Sequence, residues 1–149
     1  MLRLASCLAL ALAVTLVAAP LAYAQSEEDV MANIENIHGD AEGFFEVFGG
    51  LQDAMMFDNP DAIADYVLLP ITIDANGETY DIDNQQDLVD NLDTLIQDAP
   101  REAIRTQDVA DLLVTSEGVG FNGGAVWVSN ICLDDACNET KWGIIAINN

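Results

Sequence analysis

Positively charged side chains are scarce in this sequence, which has four Lys and Arg residues against 26 Asp and Glu and a formal charge of −22. The acidic residues are spread along the chain, which indicates a charged surface and not a disordered acidic tail. Such a surface repels nucleic acid and anionic membranes, so we expect neither as a partner. Cations, polyamines and basic proteins stay open as partners, and solubility in a salty medium would explain the charge without any partner.

Histidine and cysteine are also rare, which limits metal and nucleophile chemistry. The one His is His38, in a polar segment where we expect it to be exposed, and it lies far in sequence from Cys132 and Cys137. A closed zinc site needs four ligands, so no metal is expected. No phosphate-binding loop or nucleophile motif is present. We therefore predict no cofactor, and the sequence assigns no catalytic residue.

A long apolar run occurs only near the N-terminus. It covers residues 4–19, follows Arg3 and leads to a small-x-small triplet that ends at Ala24. This order is typical of a secretory signal peptide cleaved between Ala24 and Gln25. The run is about long enough to cross a bilayer, roughly 20 residues, so a membrane anchor is the alternative. Its high Ala content and the lack of a following basic cluster favour cleavage of residues 1–24.

Cleavage would change both the charge and the cysteine count. Cys7 would leave with the signal, and Cys132 and Cys137 would remain in an oxidising compartment, where an even number predicts a disulfide. The remaining chain would have three basic residues against all 26 acidic ones, a charge of −23. We therefore expect an acidic, periplasmic or secreted bacterial protein that no longer touches the membrane.

Apolar residues at helical spacing predict three helices, over residues 44–57, 60–67 and 84–97. Residues 25–40 are polar and acidic, and we expect a flexible or helical segment there. The Gly49-Gly50 pair inside the first helix costs about 1 kcal/mol per Gly relative to Ala. Close packing of this helix against a sheet would explain the pair.

The remaining elements are predicted strands. Asn76-Gly77 between two alternating segments indicates a two-residue hairpin in which Ile73 faces Tyr80. Residues 111–148 contain several segments rich in β-branched and aromatic residues, which favour antiparallel strands. We therefore predict one α+β domain over residues 41–149, a curved antiparallel sheet with about three N-terminal helices packed on it.

This order of elements resembles the nuclear transport factor 2-like fold, also called cystatin-like, over residues 44–149. Several short strings are similar to those of small exported bacterial proteins within that superfamily: Tyr66-Val67, Pro70, Asn76-Gly77, Leu95-Ile96, Ala103-Ile104, Gln107, Gly118-Val119-Gly120, Val126-Trp127-Val128 and Ile145-Ala146-Ile147-Asn148. Many members of that group have a Glu where this chain has Ala125. The resemblance implies a cone-shaped domain with an apolar pocket between sheet and helices, and a homodimer through the outer sheet face.

Four aromatic residues are candidates for lining that pocket: Tyr66, Tyr80, Trp127 and Trp142. Plain core packing is the alternative for all four. Enzymes of the superfamily place a carboxylate in the pocket, whereas the hairpin acids here alternate onto the solvent face. We therefore predict a binding module for a small apolar ligand or a protein partner. The alternatives are an isomerase- or dehydratase-like enzyme with a pocket carboxylate, and an acidic protein that binds cations or a basic partner.

The predicted cleavage can be tested on the chain that the host exports. N-terminal sequencing and intact mass should show a chain that begins at Gln25, because small residues precede this bond at both recognition positions. Ala24→Phe should block cleavage, whereas Tyr23→Leu, at the tolerant position between the two, should leave it intact. An exported chain that still begins at Met1 would contradict the prediction.

Overall fold

The computed structural model describes residues 25–149, so the predicted signal peptide lies outside the described residues. This part of the chain is an α+β domain with antiparallel strands. No helix within it is both long enough and apolar enough to span a bilayer. Its elements, in chain order, are α1 Glu27–His38, α2 Ala41–Met56, α3 Pro60–Asp65, β1 Ile71–Ala75, β2 Glu78–Ile82, α4 Gln85–Asp90, α5 Leu92–Leu95, α6 Asp98–Thr106, a 3-10 turn Val109–Asp111, β3 Leu113–Thr115, β4 Gly118–Phe121, β5 Val126–Cys132 and β6 Thr140–Ile147.

The predicted number of about three helices over residues 41–149 is wrong, because that range contains five, α2 to α6, while α1 lies in the segment expected to be flexible or helical. The helix expected over residues 84–97 is interrupted at Asn91 and forms α4 and α5. Pro100 follows the predicted helix over residues 84–97 and lies in the first turn of α6. Proline is tolerated there because the amide groups of a first helical turn have no intrahelical partner.

The hairpin prediction is confirmed in its register. Ile73 pairs with Tyr80 in an antiparallel β1–β2 ladder. Asn76 and Gly77 have φ values of 55° and 79°, the left-handed conformation that a two-residue turn of this type requires. Local turn chemistry therefore determines this element.

A second, open sheet contains four antiparallel strands in the order β3-β4-β5-β6. The segment that precedes the hairpin lies along the free edge of β6. The amide of Leu68 donates to the carbonyl of Ile144 at 2.9 Å, and the amide of Ile144 donates to the carbonyl of Tyr66 at 2.7 Å. Asp74 in β1 forms a further bridge with Asn148. These contacts join the two sheets along β6 into one surface.

The core lies between the helices and one face of this surface, and it is apolar throughout. Among the described residues no polar or charged side chain is buried. Phe48 of α2 stacks on Phe121 of β4 at 5.6 Å, and Phe44 meets Trp142 of β6 edge to face at 5.2 Å. The largest fully buried side chains are Phe44, Phe121, Ile34, Leu51, Ile63, Ile73, Leu88, Leu95, Ile96, Ile104, Ile144 and Val30.

Cys132 and Cys137 are paired as a disulfide, with Cα atoms 4.7 Å apart. The pairing agrees with the sequence prediction. Cys132 ends β5 and Cys137 lies in the loop that precedes β6. The bond therefore closes the β5–β6 loop at the end of the hairpin.

The two glycines of α2 have different surroundings. A Cβ on Gly50 would overlap the hydroxyl of Tyr66, whereas a Cβ on Gly49 would meet nothing within 4 Å. The expected packing against a sheet is therefore not the reason for the pair. Gly50 instead makes room for Tyr66, the residue that ends α3.

Gly49→Ala and Gly50→Ala form a matched pair of variants for this contact. Gly49→Ala should raise the free energy of unfolding by up to about 1 kcal/mol, because Ala favours the helix. Gly50→Ala should lower it by roughly 1–3 kcal/mol, because the added methyl group overlaps Tyr66. Chemical denaturation of both variants measures these changes.

The Tyr66→Ala background serves as the control. Gly50→Ala should cost nothing in that background, because the overlapping ring is gone. An equal loss with and without the Tyr66 ring would show that the contact does not explain Gly50.

Candidate functional site

The four aromatic residues predicted to line a pocket lie in separate places. Trp142 is in the core and 4% exposed. Trp127 alternates with buried neighbours along β5, so it faces the outer side of the sheet, where its ring covers Gly120. Tyr66 packs against α2. Tyr80 lies on the hairpin. The structure therefore does not bring these four side chains into one site.

Tyr80 has a local explanation on the hairpin. Its hydroxyl donates to Oε2 of Glu78 at 3.0 Å. This hydrogen bond favours the neutral phenol, so it raises the pKa of Tyr80 above its ordinary value, with smaller contributions from burial and from the charge of Glu78. The group is a surface pair two residues apart.

His38 is half-buried, which corrects the expectation that it is exposed. Its ring meets Trp142 edge to face at 5.2 Å, and its Nε2 donates to the carbonyl of Thr115 at 2.9 Å. The indole of Trp142 donates to the carbonyl and to Oδ2 of Asp40, each at 3.1 Å. These bonds attach the α1–α2 corner to the sheet, so this polar group has a structural role.

The space where the resemblance implies a pocket is filled by side chains. The rings of Phe44, Phe48 and Phe121 occupy the region between α2 and the sheet. Within residues 25–149 every Asp and Glu is at least partly exposed, and no group of three or more His, Cys, Asp or Glu side chains is arranged to hold a metal ion.

An apolar groove lies instead on the outer surface, between α1, α2 and the 3-10 turn. Its volume is about 700 Å³. Met31, Phe45 and Val109 provide its apolar lining, and we refer to these three residues as the floor. The acidic lining consists of Glu27, Glu42 and Glu46, which we refer to as the rim.

Helical spacing explains how α1 and α2 present these side chains. Glu27 and Met31 are four residues apart on α1, and residues three or four apart share one face of a helix. On α2, Phe45 and Glu46 lie three and four residues after Glu42, so both are its neighbours on the helix surface. Each helix therefore contributes at least one carboxylate beside an apolar side chain.

A capping box determines where α1 begins. The amide of Asp29 donates to Oγ of Ser26 at 3.1 Å, and the amide of Ser26 donates to Oδ2 of Asp29 at 3.2 Å. The Ser26 hydroxyl also donates to this carboxylate, at 2.7 Å. The side-chain bond first, and the backbone bond second, lower the pKa of Asp29 below its ordinary value. This start places Glu27 in the first turn, where the helix dipole favours a carboxylate.

The aromatic floor residue is held by the core beneath it. The ring of Phe45 meets Phe44 edge to face at 5.3 Å and Phe48 at 6.3 Å. Phe44 is fully buried, so Phe45 cannot leave the groove without breaking core contacts. A floor that is rigid before binding loses little entropy when a partner arrives.

The rim carboxylates have no cationic partner among the described residues. Arg101 binds Asp58 and Asp93, with nitrogen–oxygen distances of 2.8 and 2.7 Å. Arg105 pairs with Glu102 at 3.2 Å. Lys141 reaches only a backbone carbonyl, at 3.4 Å. The groove therefore combines apolar surface with uncompensated negative charge.

The groove was not predicted from the sequence, although the sequence contains part of the signal for it. Phe44 and Phe45 are adjacent on a helix and point about 100° apart, so their rings lie on different parts of the helix surface. This spacing is compatible with one ring that is less buried than the other. It does not indicate that Met31 and Val109, from separate segments, lie beside Phe45.

Comparison with protein-family models, curated proteins and solved structures finds no match for this chain. The relationship to nuclear transport factor 2-like proteins therefore stays a proposal. The candidate site rests on the geometry of the described residues.

Ser26→Ala tests the capping box that positions α1. The pKa of Asp29 should rise part of the way toward its ordinary value, because the variant removes the Ser26 hydroxyl, whose hydrogen bond lowers this pKa most, and keeps the backbone amide of residue 26. A depressed pKa stabilises the fold above the unfolded-state pKa, and this contribution is lost as the pH falls through the folded-state pKa. The variant should therefore be less stable than the wild type at neutral pH, and the difference should shrink in acid.

NMR titration of the Asp29 carboxyl group measures the change in its pKa. Thermal denaturation at neutral pH and at acidic pH measures the difference in stability. Ser116→Ala, in the exposed turn between β3 and β4, serves as the control and should leave the pKa of Asp29 unchanged. An Asp29 pKa that does not move in Ser26→Ala would show that the Ser26 hydroxyl is not what lowers it.

Proposed function

We propose that this chain is an exported nuclear transport factor 2-like module that binds a protein partner in the groove between α1, α2 and the 3-10 turn. One observation carries the proposal. The interior between the helices and the sheet is filled, whereas accessible apolar surface lies in the groove outside it. Apolar surface that is exposed and bordered by polar residues is typical of interaction sites.

The arrangement of the strands supports the proposed relationship. Asp74 of the hairpin forms a bridge with Asn148, just after β6 at the edge of the four-stranded sheet, and the order of helices, hairpin, helices and strands is the one that the resemblance implies. The disulfide supports export, because such bonds persist in oxidising compartments. The acidic surface suits a protein that leaves the cytoplasm for a salty medium.

A protein partner fits the groove better than a small apolar ligand does. Small-molecule sites commonly enclose about 70–90% of their ligand. The groove here is broad and open, and its three acidic side chains surround a floor of only three apolar ones. A small apolar molecule in it would keep much of its surface in water, whereas a protein segment would cover both floor and rim.

The enzymatic alternative lacks its central group in the described residues. An isomerase- or dehydratase-like mechanism needs a base with a raised pKa in a dry pocket. No carboxylate is buried within residues 25–149, and the space expected for such a pocket is occupied by aromatic rings. These observations favour the binding module.

The outer face of the four-stranded sheet supports a second proposal, a homodimer. Leu113, Trp127 and Ile131 lie on this face. Gly120 of β4 pairs with Leu113 on one side and with Trp127 on the other, so the three share a face. Ile131 lies four residues after Trp127 on β5, where alternate residues share a face. Leu113 is 44% exposed and Ile131 is 38% exposed. This face does not include the groove, so a dimer would leave the groove free.

Site-specific photo-crosslinking in the exporting host tests the proposed function. A photo-reactive residue in place of Met31, which is 47% exposed, should yield one discrete protein adduct. The adduct protein, once identified and purified, should bind the wild-type chain and bind Met31→Ser more weakly. The same photo-reactive residue at Met56, exposed on α2 outside the groove, should not yield this adduct.

Two outcomes would contradict the proposal. The first is an identical set of adducts from positions 31 and 56. The second is a small molecule that native mass spectrometry finds retained at a one-to-one ratio and that Met31→Ser releases.

A further inference from the structure

We infer that the partner segment is a basic amphipathic helix, whose apolar face lies on the groove floor and whose Lys or Arg side chains pair with the rim. This inference rests on the proposed function and specifies the chemistry of the partner. It follows from the composition of the groove and from the charge of the surface around it.

The floor offers apolar surface of two kinds. Phe45 is held rigid by Phe44 and Phe48, whereas Met31 is 47% exposed on α1. Methionine is flexible and polarisable, and it is common at surfaces that bind helices. A rigid ring beside an adaptable side chain accommodates branched aliphatic residues, and the face of Phe45 also attracts a cation.

The rim determines the charge of the partner. Glu42 and Glu46 are four residues apart on α2, where like charges repel each other, and Glu27 lies on the opposite helix. The three described cations contact other groups, so the chain does not neutralise this rim itself. A partner that brings Lys or Arg removes the repulsion and gains three ion pairs.

The same charge argues against other occupants. A second copy of the chain would bring its own excess of acidic residues to the rim. Anionic lipid and nucleic acid would be repelled for the same reason. A basic protein segment is the macromolecular partner whose charge complements the groove.

The shape of the groove favours a helix over an extended strand. Its walls are α1, α2 and the 3-10 turn, and no strand edge lines it to pair with an extended backbone. Helix-in-groove recognition uses apolar anchors at i, i+3, i+4 and i+7, flanked by polar residues. A third helix laid across α1 and α2 satisfies this pattern.

Fluorescence anisotropy with a designed peptide tests the inference. The probe is a labelled amphipathic Leu/Lys helix of about 14 residues, roughly four turns. It should bind the chain that the host exports, at about 0.15 M salt, where the screening length is roughly 8 Å. A Leu/Glu peptide of the same pattern and a Ser/Lys peptide of the same charge should both fail to bind.

Two sets of matched variants place the binding in the groove. Glu27→Gln/Glu42→Gln/Glu46→Gln should weaken binding of the Leu/Lys peptide roughly tenfold, as expected for three exposed ion pairs. The control, Glu28→Gln/Glu117→Gln/Glu139→Gln, removes the same charge from exposed positions outside the groove and should change binding by about twofold or less.

The floor has its own pair of variants. Met31→Ser should weaken binding by roughly fivefold to tenfold, because apolar contact area is lost. Met56→Ser, at an exposed position outside the groove, should leave binding unchanged. Circular dichroism confirms that each variant is folded before it is compared.

Equal weakening by the two Glu→Gln triple variants would overturn the inference, since it would show diffuse attraction to an acidic surface. Binding of the Ser/Lys peptide would overturn it as well, because the floor would then contribute nothing. If the Leu/Lys peptide fails to bind while position 31 still crosslinks to one protein, the basic partner is wrong and the proposed function stands.

Discussion

The contact between α2 and the sheet is the interaction on which the rest of the structure depends. Phe44 and Phe48 pack against Trp142 and Phe121 at ring distances of 5.2 and 5.6 Å, with no polar side chain buried around them. Once these rings are seated, the rotation of α2 about its axis is determined. Phe45 then lies at the edge of the core, half-buried against Phe44 and Phe48, where α1 meets α2. One part of the surface of α2 therefore packs in the core, and the neighbouring part lines the groove.

Charge imposes the second constraint. A chain with 26 acidic residues and few cations must keep its carboxylates in water, because burying an unpaired charge is costly. The few cations have local roles: Arg101, for example, connects Asp58 and Asp93 and also donates to the carbonyl of Ile96. Little positive charge is left to neutralise the surface. Apolar surface that stays exposed is consequently bordered by acid, as in the groove.

Prediction from sequence worked where the cause was local. The β1–β2 register followed from Asn76-Gly77, and the Cys132–Cys137 pairing followed from proximity and an even count. It did not work where one residue type has two roles. Pro100 suits the start of a helix as well as its end, and a strand Trp suits either face of a sheet. The aromatic residues proposed for a pocket were for that reason spread over the core, the outer sheet face and the hairpin.

The sequence by itself determined the elements whose geometry depends on neighbours within a few residues: the hairpin turn, the helix caps and the apolar periodicity of the long strands. Only the tertiary structure decided that Glu27, Phe45 and Val109 share a groove, since no local rule relates residues so far apart in the chain. It also decided that Gly50 is required by Tyr66 while Gly49 is not. The reason is physical: turn and helix preferences act along the backbone, whereas packing joins distant segments through the shapes of their side chains.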